Sequence, residues 1–139
     1  MVGSGLVDRD FVNGKARDVR NAINELTRLA SKRFEDMSLD EQYSMRYQLI
    51  VLTESVVSLC SHIALEAYGY EPSSYKDCVA YICQREGVSC VEDLKALVGL
   101  RNLLVHRYRN IDDRLIHSSM KSNFKCVHEL LGRIVSKYG

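Results

Sequence analysis

The sequence predicts an all-α fold, an antiparallel bundle of about five helices. Apolar residues recur at spacings of three and four through most of the chain. Eight glycines and a single proline, Pro72, leave little to interrupt helices among 139 residues. Helix-capping Ser and Asp residues also stand where the periodic stretches begin. Neither a repeat of fixed period nor a linker-like tract divides the chain, so residues 1–139 read as one helical domain. Residues 1–7 read as a flexible lead-in without signal-peptide character.

The elements follow in order. Asp8 or Asp10 caps a first helix running to about Met37, with Val12, Ala16, Val19, Ile23, Leu26 and Leu29 on its apolar face. Ser38 and Glu41 stand at the spacing of a capping box and open a long second helix to about Tyr68. From Tyr47 to Ala67 that helix is apolar on most faces. Such a helix must be covered on several sides, which a second copy of the chain would do. Gly69 to Pro72 break the pattern, and a short helix follows from about Ser74 to Gln84, ended by Gly87. Ser89 and Glu92 repeat the capping-box spacing before a fourth helix with the stripe Leu94, Leu97, Leu100 and Leu104. It should end around residues 109–112. Asp112 or Asp113 then caps a fifth helix to about Lys137.

A net charge of +1 gives no general affinity for a polyanion, so any nucleic-acid contact must come from a local patch. Arg101, Arg107, Arg109 and Arg114 are the candidates. The cysteines are Cys60, Cys78, Cys83, Cys90 and Cys126, an odd number with no CxxC pair. That usage predicts reduced thiols packed as small apolar residues in a cytoplasmic protein. No apolar run is expected to reach the ~18 residues of a membrane span. His62, His117 and His128 lack a second ligand pair at zinc-like spacing, so neither metal nor cofactor is expected. Most of the eight tyrosines are expected in the core or at a dimer seam.

Chemistry concentrates in the fourth helix. Gly99, Asn102 and His106 share a face away from the leucine stripe, and Gly99 would admit a close backbone. Arg101 lies about 140° from His106 on an ideal helix. One straight helix therefore does not easily bring both to one phosphate: the helix distorts near His106, the arginine's long arm wraps round, or two chains share the cleft, and the apolar second helix favours the last. Arginine offers a phosphate a planar fork of donors, and histidine, with a pKa of about 6.5, exchanges protons at neutral pH. RNA cleavage by its own 2′-hydroxyl needs only proton transfer and charge stabilisation at phosphorus. On the second helix Glu54, Ser58 and Ser61 form a polar stripe. Glu54 is expected to pair with or orient Arg101, and Arg46, near that stripe, to add charge to the cleft.

From Arg46 onward the chain resembles the HEPN superfamily, and within it the HepT branch. The resemblance is carried by residues 46–51, by Ser74-Tyr75-Lys76-Asp77, by the unbroken stretch from Gly99 to Tyr108, which fits Arg-x4-His-x-Tyr, and by Ile111-Asp112. It implies a helical bundle that dimerises with the Arg and His of both subunits facing one cleft. It implies a metal-independent ribonuclease toxin whose antitoxin, an MntA-like minimal nucleotidyltransferase, transfers AMP to the tyrosine. Arg101 would bind phosphate, His106 handle protons, Asn102 support them, and Tyr108 accept the AMP. Two other functions fit the same residues: a nonenzymatic module binding a nucleotide or a nucleotidyltransferase, and an interaction scaffold whose Arg101 and His106 are solvated helix-end cations.

Overall fold

The structure, a computed structural model, describes residues 6–106 and 110–139, with the side chains of 121–123 left aside. The described residues form five α-helices and one 3-10 turn: α1 (Arg9–Ala30), the turn Phe34–Asp36, α2 (Leu39–Tyr68), α3 (Tyr75–Glu86), α4 (Val91–His106) and α5 (Asp113–Tyr138). No strand occurs among the described residues.

Asp8 caps α1 by accepting the Phe11 amide proton. The helix stops at Ala30, short of the expected Met37. Two tertiary bonds explain the early end. The Lys32 carbonyl accepts a hydrogen bond from His117 Nε2 at 2.7 Å, and the Lys32 ammonium turns to Glu41. Arg33 is then extended (ψ 142°), and the remaining residues to Met37 close as a 3-10 turn.

Ser38 and Glu41 form the expected capping box, each side chain bonding the other's backbone amide. α2 runs back along α1, since Glu41 meets Lys32 at one end and His62 accepts from the Asp8 amide at the other. α5 also runs antiparallel to α1. Arg46 of α2 binds Asp113 at the start of α5, and Tyr138 at its end reaches Tyr68. Leu26, Leu52, Leu59, Ile63, Ile82 and Ile134 lie at the centre of the resulting core.

By length and composition α2 could cross a membrane, contrary to the expectation that no run approaches that size. An 18-residue window within it has a mean hydropathy of 1.5. Here it is a core helix, with 56% of that window buried against its neighbours. One face stays open. Leu39, Tyr43, Tyr47 and Leu65 are 45–63% exposed, and with Ile50, Glu54, Ser58 and Ser61 they follow spacings of three and four.

Gly69 and Gly87 end α2 and α3 in left-handed conformations that suit glycine. α4 begins at Val91, and no bond joins Ser89 to Glu92 among the described residues. The predicted second capping box is replaced by a covalent tie: Cys90 is disulfide-bonded to Cys126 of α5. This overturns the expectation of five reduced thiols, although Cys60, Cys78 and Cys83 are buried and free as expected. Sequence spacing could not show the pairing, because 36 residues separate the two. Asp112 caps α5 by accepting the Leu115 amide proton.

Candidate active site

α4 turns Leu94, Leu97, Val98 and Leu104 into the core. Its polar residues are thereby left toward α2, α3 and solvent. Arg101 reaches across to α2, where its Nε lies 2.6 Å and its Nη2 lies 2.5 Å from Glu54 Oε1. The expected pairing of Glu54 with Arg101 is therefore present. Nη1 of the same guanidinium donates to Asn102 Oδ1 at 3.0 Å.

Tyr75, the first residue of α3, completes the arrangement. Its hydroxyl donates to Glu54 Oε2 at 2.8 Å, and its ring faces the Arg101 guanidinium with the carbon 4.8 Å from the ring centre. The Glu54 bond raises the Tyr75 hydroxyl pKa above its ordinary value, because ionisation would place two anions together. The position of Tyr75 is itself fixed. Ser74 caps α3 through the Asp77 amide, and Asp77 accepts from Ser73 and from the Tyr70 hydroxyl. The Tyr70 hydroxyl first, and then the Ser73 amide, hold the Asp77 carboxyl below its usual range. Sequence reasoning gave Tyr75 no role. Its signal was its place in the Ser74-Tyr75-Lys76-Asp77 segment.

Two of these contacts are hydrogen bonds, from Nε and Nη1, and the third is an ion-pair contact of Nη2 with Glu54. The side chain keeps 19% of its surface exposed, and a guanidinium carries further N–H groups that suit phosphate oxygens. Beside Glu54 and Tyr75 an open groove of about 440 Å³ runs along α2, lined also by Ser58, Ser61, His62 and Leu65. The polar stripe of α2 thus lines a surface groove.

The other predicted residues fall elsewhere. His106 is exposed at the end of the described part of α4, and no hydrogen bond joins it to Arg101, Asn102 or Glu54 among the described residues. Arg46 does not enter the cluster. Its guanidinium is paired with Asp113, which raises its pKa and anchors α5 to α2. Among the described residues a side chain at Gly99 would meet only the Lys76 ammonium at 3.8 Å, so no close backbone there requires that glycine. Arg114 is paired with Glu35 and lies over Phe34. The basic patch is accordingly half neutralised at Arg101 and Arg114, while Arg107, Arg109 and Tyr108 lie outside the described residues. No His, Cys, Asp and Glu side chains cluster as a metal site among the described residues.

The family described as Ribonuclease HepT-like matches residues 19–134. The chain belongs to the HepT-like ribonuclease family. Membership implies RNase activity, and the match encloses both Arg101 and His106. Two crystal structures share the fold. A toxin–antitoxin complex with AMP-PNP contains a chain with a TM-score of 0.76 and 18% identity, over 91% of this chain and 98% of that one. A mutant MntA–HpeT toxin–antitoxin complex contains one with a TM-score of 0.73 and 21% identity, again over 91% and 98%. No curated protein matches the sequence.

Proposed function

We propose that this HepT-like chain is a metal-independent endoribonuclease, acting as the toxin of a toxin–antitoxin pair. The observation that carries the reading is the Arg101 guanidinium, held along its Nε and Nη2 edge by Glu54 and at Nη1 by Asn102, a fixed cation beside the α2 groove. Attack by the ribose 2′-oxygen on phosphorus breaks the bond to the 5′-oxygen, leaving a cyclic phosphate and a 5′-hydroxyl. The 2′-hydroxyl loses a proton and the leaving oxygen gains one. Arg101 stabilises the charge gathering on phosphorus, and His106 transfers protons. Both proton transfers are met by two His106 side chains in a cleft shared by two subunits.

A homodimer is supported by the open face of α2, where Leu39, Tyr43, Tyr47 and Leu65 surround Glu54 in sequence. An exposed apolar stripe of this length suits a second copy of the chain. The antitoxin is an MntA-like nucleotidyltransferase. It moves AMP from ATP to the Tyr108 hydroxyl, releasing pyrophosphate and placing a bulky anion two residues from His106. The chain acts as one domain that binds RNA and no membrane.

The test is RNA cleavage in excess chelator by the purified chain and by His106→Ala. Cleavage by the first and none by the second supports the reading. Equal cleavage by both refutes a His106-centred site. Absence of cleavage by either, with Tyr108 unmodified by mass, favours the nonenzymatic binding module. Glu54 supports that second reading, since its carboxylate offsets the charge of Arg101.

A further inference from the structure

We infer that Tyr75 is a positioning residue for the phosphate-binding arginine. Glu54 alone does not fix a guanidinium. Two of the Arg101 nitrogens converge on the single oxygen Oε1, and a plane held at one point can still tilt about it. Tyr75 removes both remaining freedoms. Its hydroxyl ties down Oε2 at 2.8 Å, so the carboxylate cannot rotate. Its ring covers one face of the guanidinium at 4.8 Å, which restrains tilting and shields that face from water. Asn102 holds the third nitrogen. The Arg101 guanidinium is then held in one orientation.

The ring and the hydroxyl act on different partners, and their effects are therefore separable. Tyr75→Phe keeps the cover over Arg101 and frees the carboxylate. Tyr75→Leu removes both contacts. In the absence of Glu54 the hydroxyl has nothing to position, so Tyr75→Phe should add no loss on top of Glu54→Ala.

The functional consequence rests on the ribonuclease reading, but the positioning itself does not. The experiment therefore reads the two apart. The NMR signal of the Arg101 Nε–H group, assigned by Arg101→Lys, reports whether the guanidinium is held, with or without RNA. In the full chain it should be sharp and slow to exchange with water. Tyr75→Phe should speed its exchange about threefold, and Tyr75→Leu about tenfold or more. Cleavage of a short RNA should fall by similar factors in kcat/KM, with a melting temperature lowered by no more than a few degrees for Tyr75→Phe. An Nε–H signal unaffected by Tyr75→Phe and Tyr75→Leu overturns the proposal whatever the RNA does. An equal further loss from Tyr75→Phe in the Glu54→Ala background overturns the route through Glu54. Ordered Nε–H behaviour that depends on Tyr75, without any cleavage, supports the positioning and refutes the ribonuclease reading alone.

Discussion

Cys90 and Cys126 are joined across 36 residues, so the loop they close contains Arg101, Asn102, His106 and Asp113. The start of α4 is thereby tied to the middle of α5. A closed loop of that length lowers the entropy of the denatured chain, a stabilisation of about 3–4 kcal/mol. Thiol titration of the denatured protein should count three groups, at Cys60, Cys78 and Cys83. Cys126→Ser should lower the melting temperature by about 10 °C. A count of five thiols in the isolated protein would show the pair reduced, and the melting temperature would then not respond to a reductant.

Arg46 and Asp113 are expected to matter for stability and not for chemistry. Asp113 is nine-tenths buried at the first turn of α5, and Arg46 supplies its counter-charge. Removing one member leaves the other charge largely buried without that partner. Asp113→Ala should cost about 1–3 kcal/mol, discounted because Arg46 keeps some contact with water. Chemical denaturation measures the loss. Arg46→Met should leave kcat for RNA unchanged at temperatures where the variant is folded. A selective fall in kcat would return Arg46 to the cleft.

The helices were legible in the sequence because their determinants are local. Asp8, Ser38, Ser74 and Asp112 cap where hydrogen bonding requires, and the leucine and valine periods mark the buried faces. What escaped was set by tertiary partners. α1 ends early because His117, 85 residues away in sequence, takes the Lys32 carbonyl. Cys90 pairs with a residue on another helix. At the site, Glu54 with Arg101 was readable as a carboxylate in the middle of an apolar stretch that needed a cation. Arg46 offered the same charge and differed only in reach, which spacing on one helix does not reveal. Tyr75 was hidden for a further reason: an aromatic at a helix start looks like ordinary packing.

Acid should weaken the junction between α1 and α2 before it affects the core. Lys32 first, and then the Ser38 amide, hold the Glu41 carboxyl at about 2, below its ordinary 4.5. A depressed carboxylate stabilises the fold fully above its unfolded pKa, and that contribution disappears as pH falls from 4.5 toward about 2. Glu41→Gln loses the charge and retains an acceptor for the Ser38 amide. The melting temperatures of the two proteins should differ near pH 6 and converge by about pH 2. A constant gap across that range would show that Glu41 acts through packing alone.

Tyr47 offers a test of the open face of α2 that spares the core. Its side chain is 63% exposed in the single chain, so a charged replacement meets water and not packed neighbours. If a second copy covers this face, the same replacement buries a carboxylate at the seam, where desolvation is costly. Tyr47→Glu should therefore leave the melting of the isolated chain nearly unchanged while weakening association at least about tenfold. Sedimentation velocity separates these effects, because one chain is 15.9 kDa and a dimer twice that. Cleavage should fall with the dimer fraction, since a shared cleft draws its second His106 from the partner copy. Should the unmodified protein sediment as a 15.9 kDa species throughout the micromolar range and still cleave RNA, Arg101 and His106 must act within one chain. That result would require α4 to distort beyond the helical geometry that holds them about 140° apart.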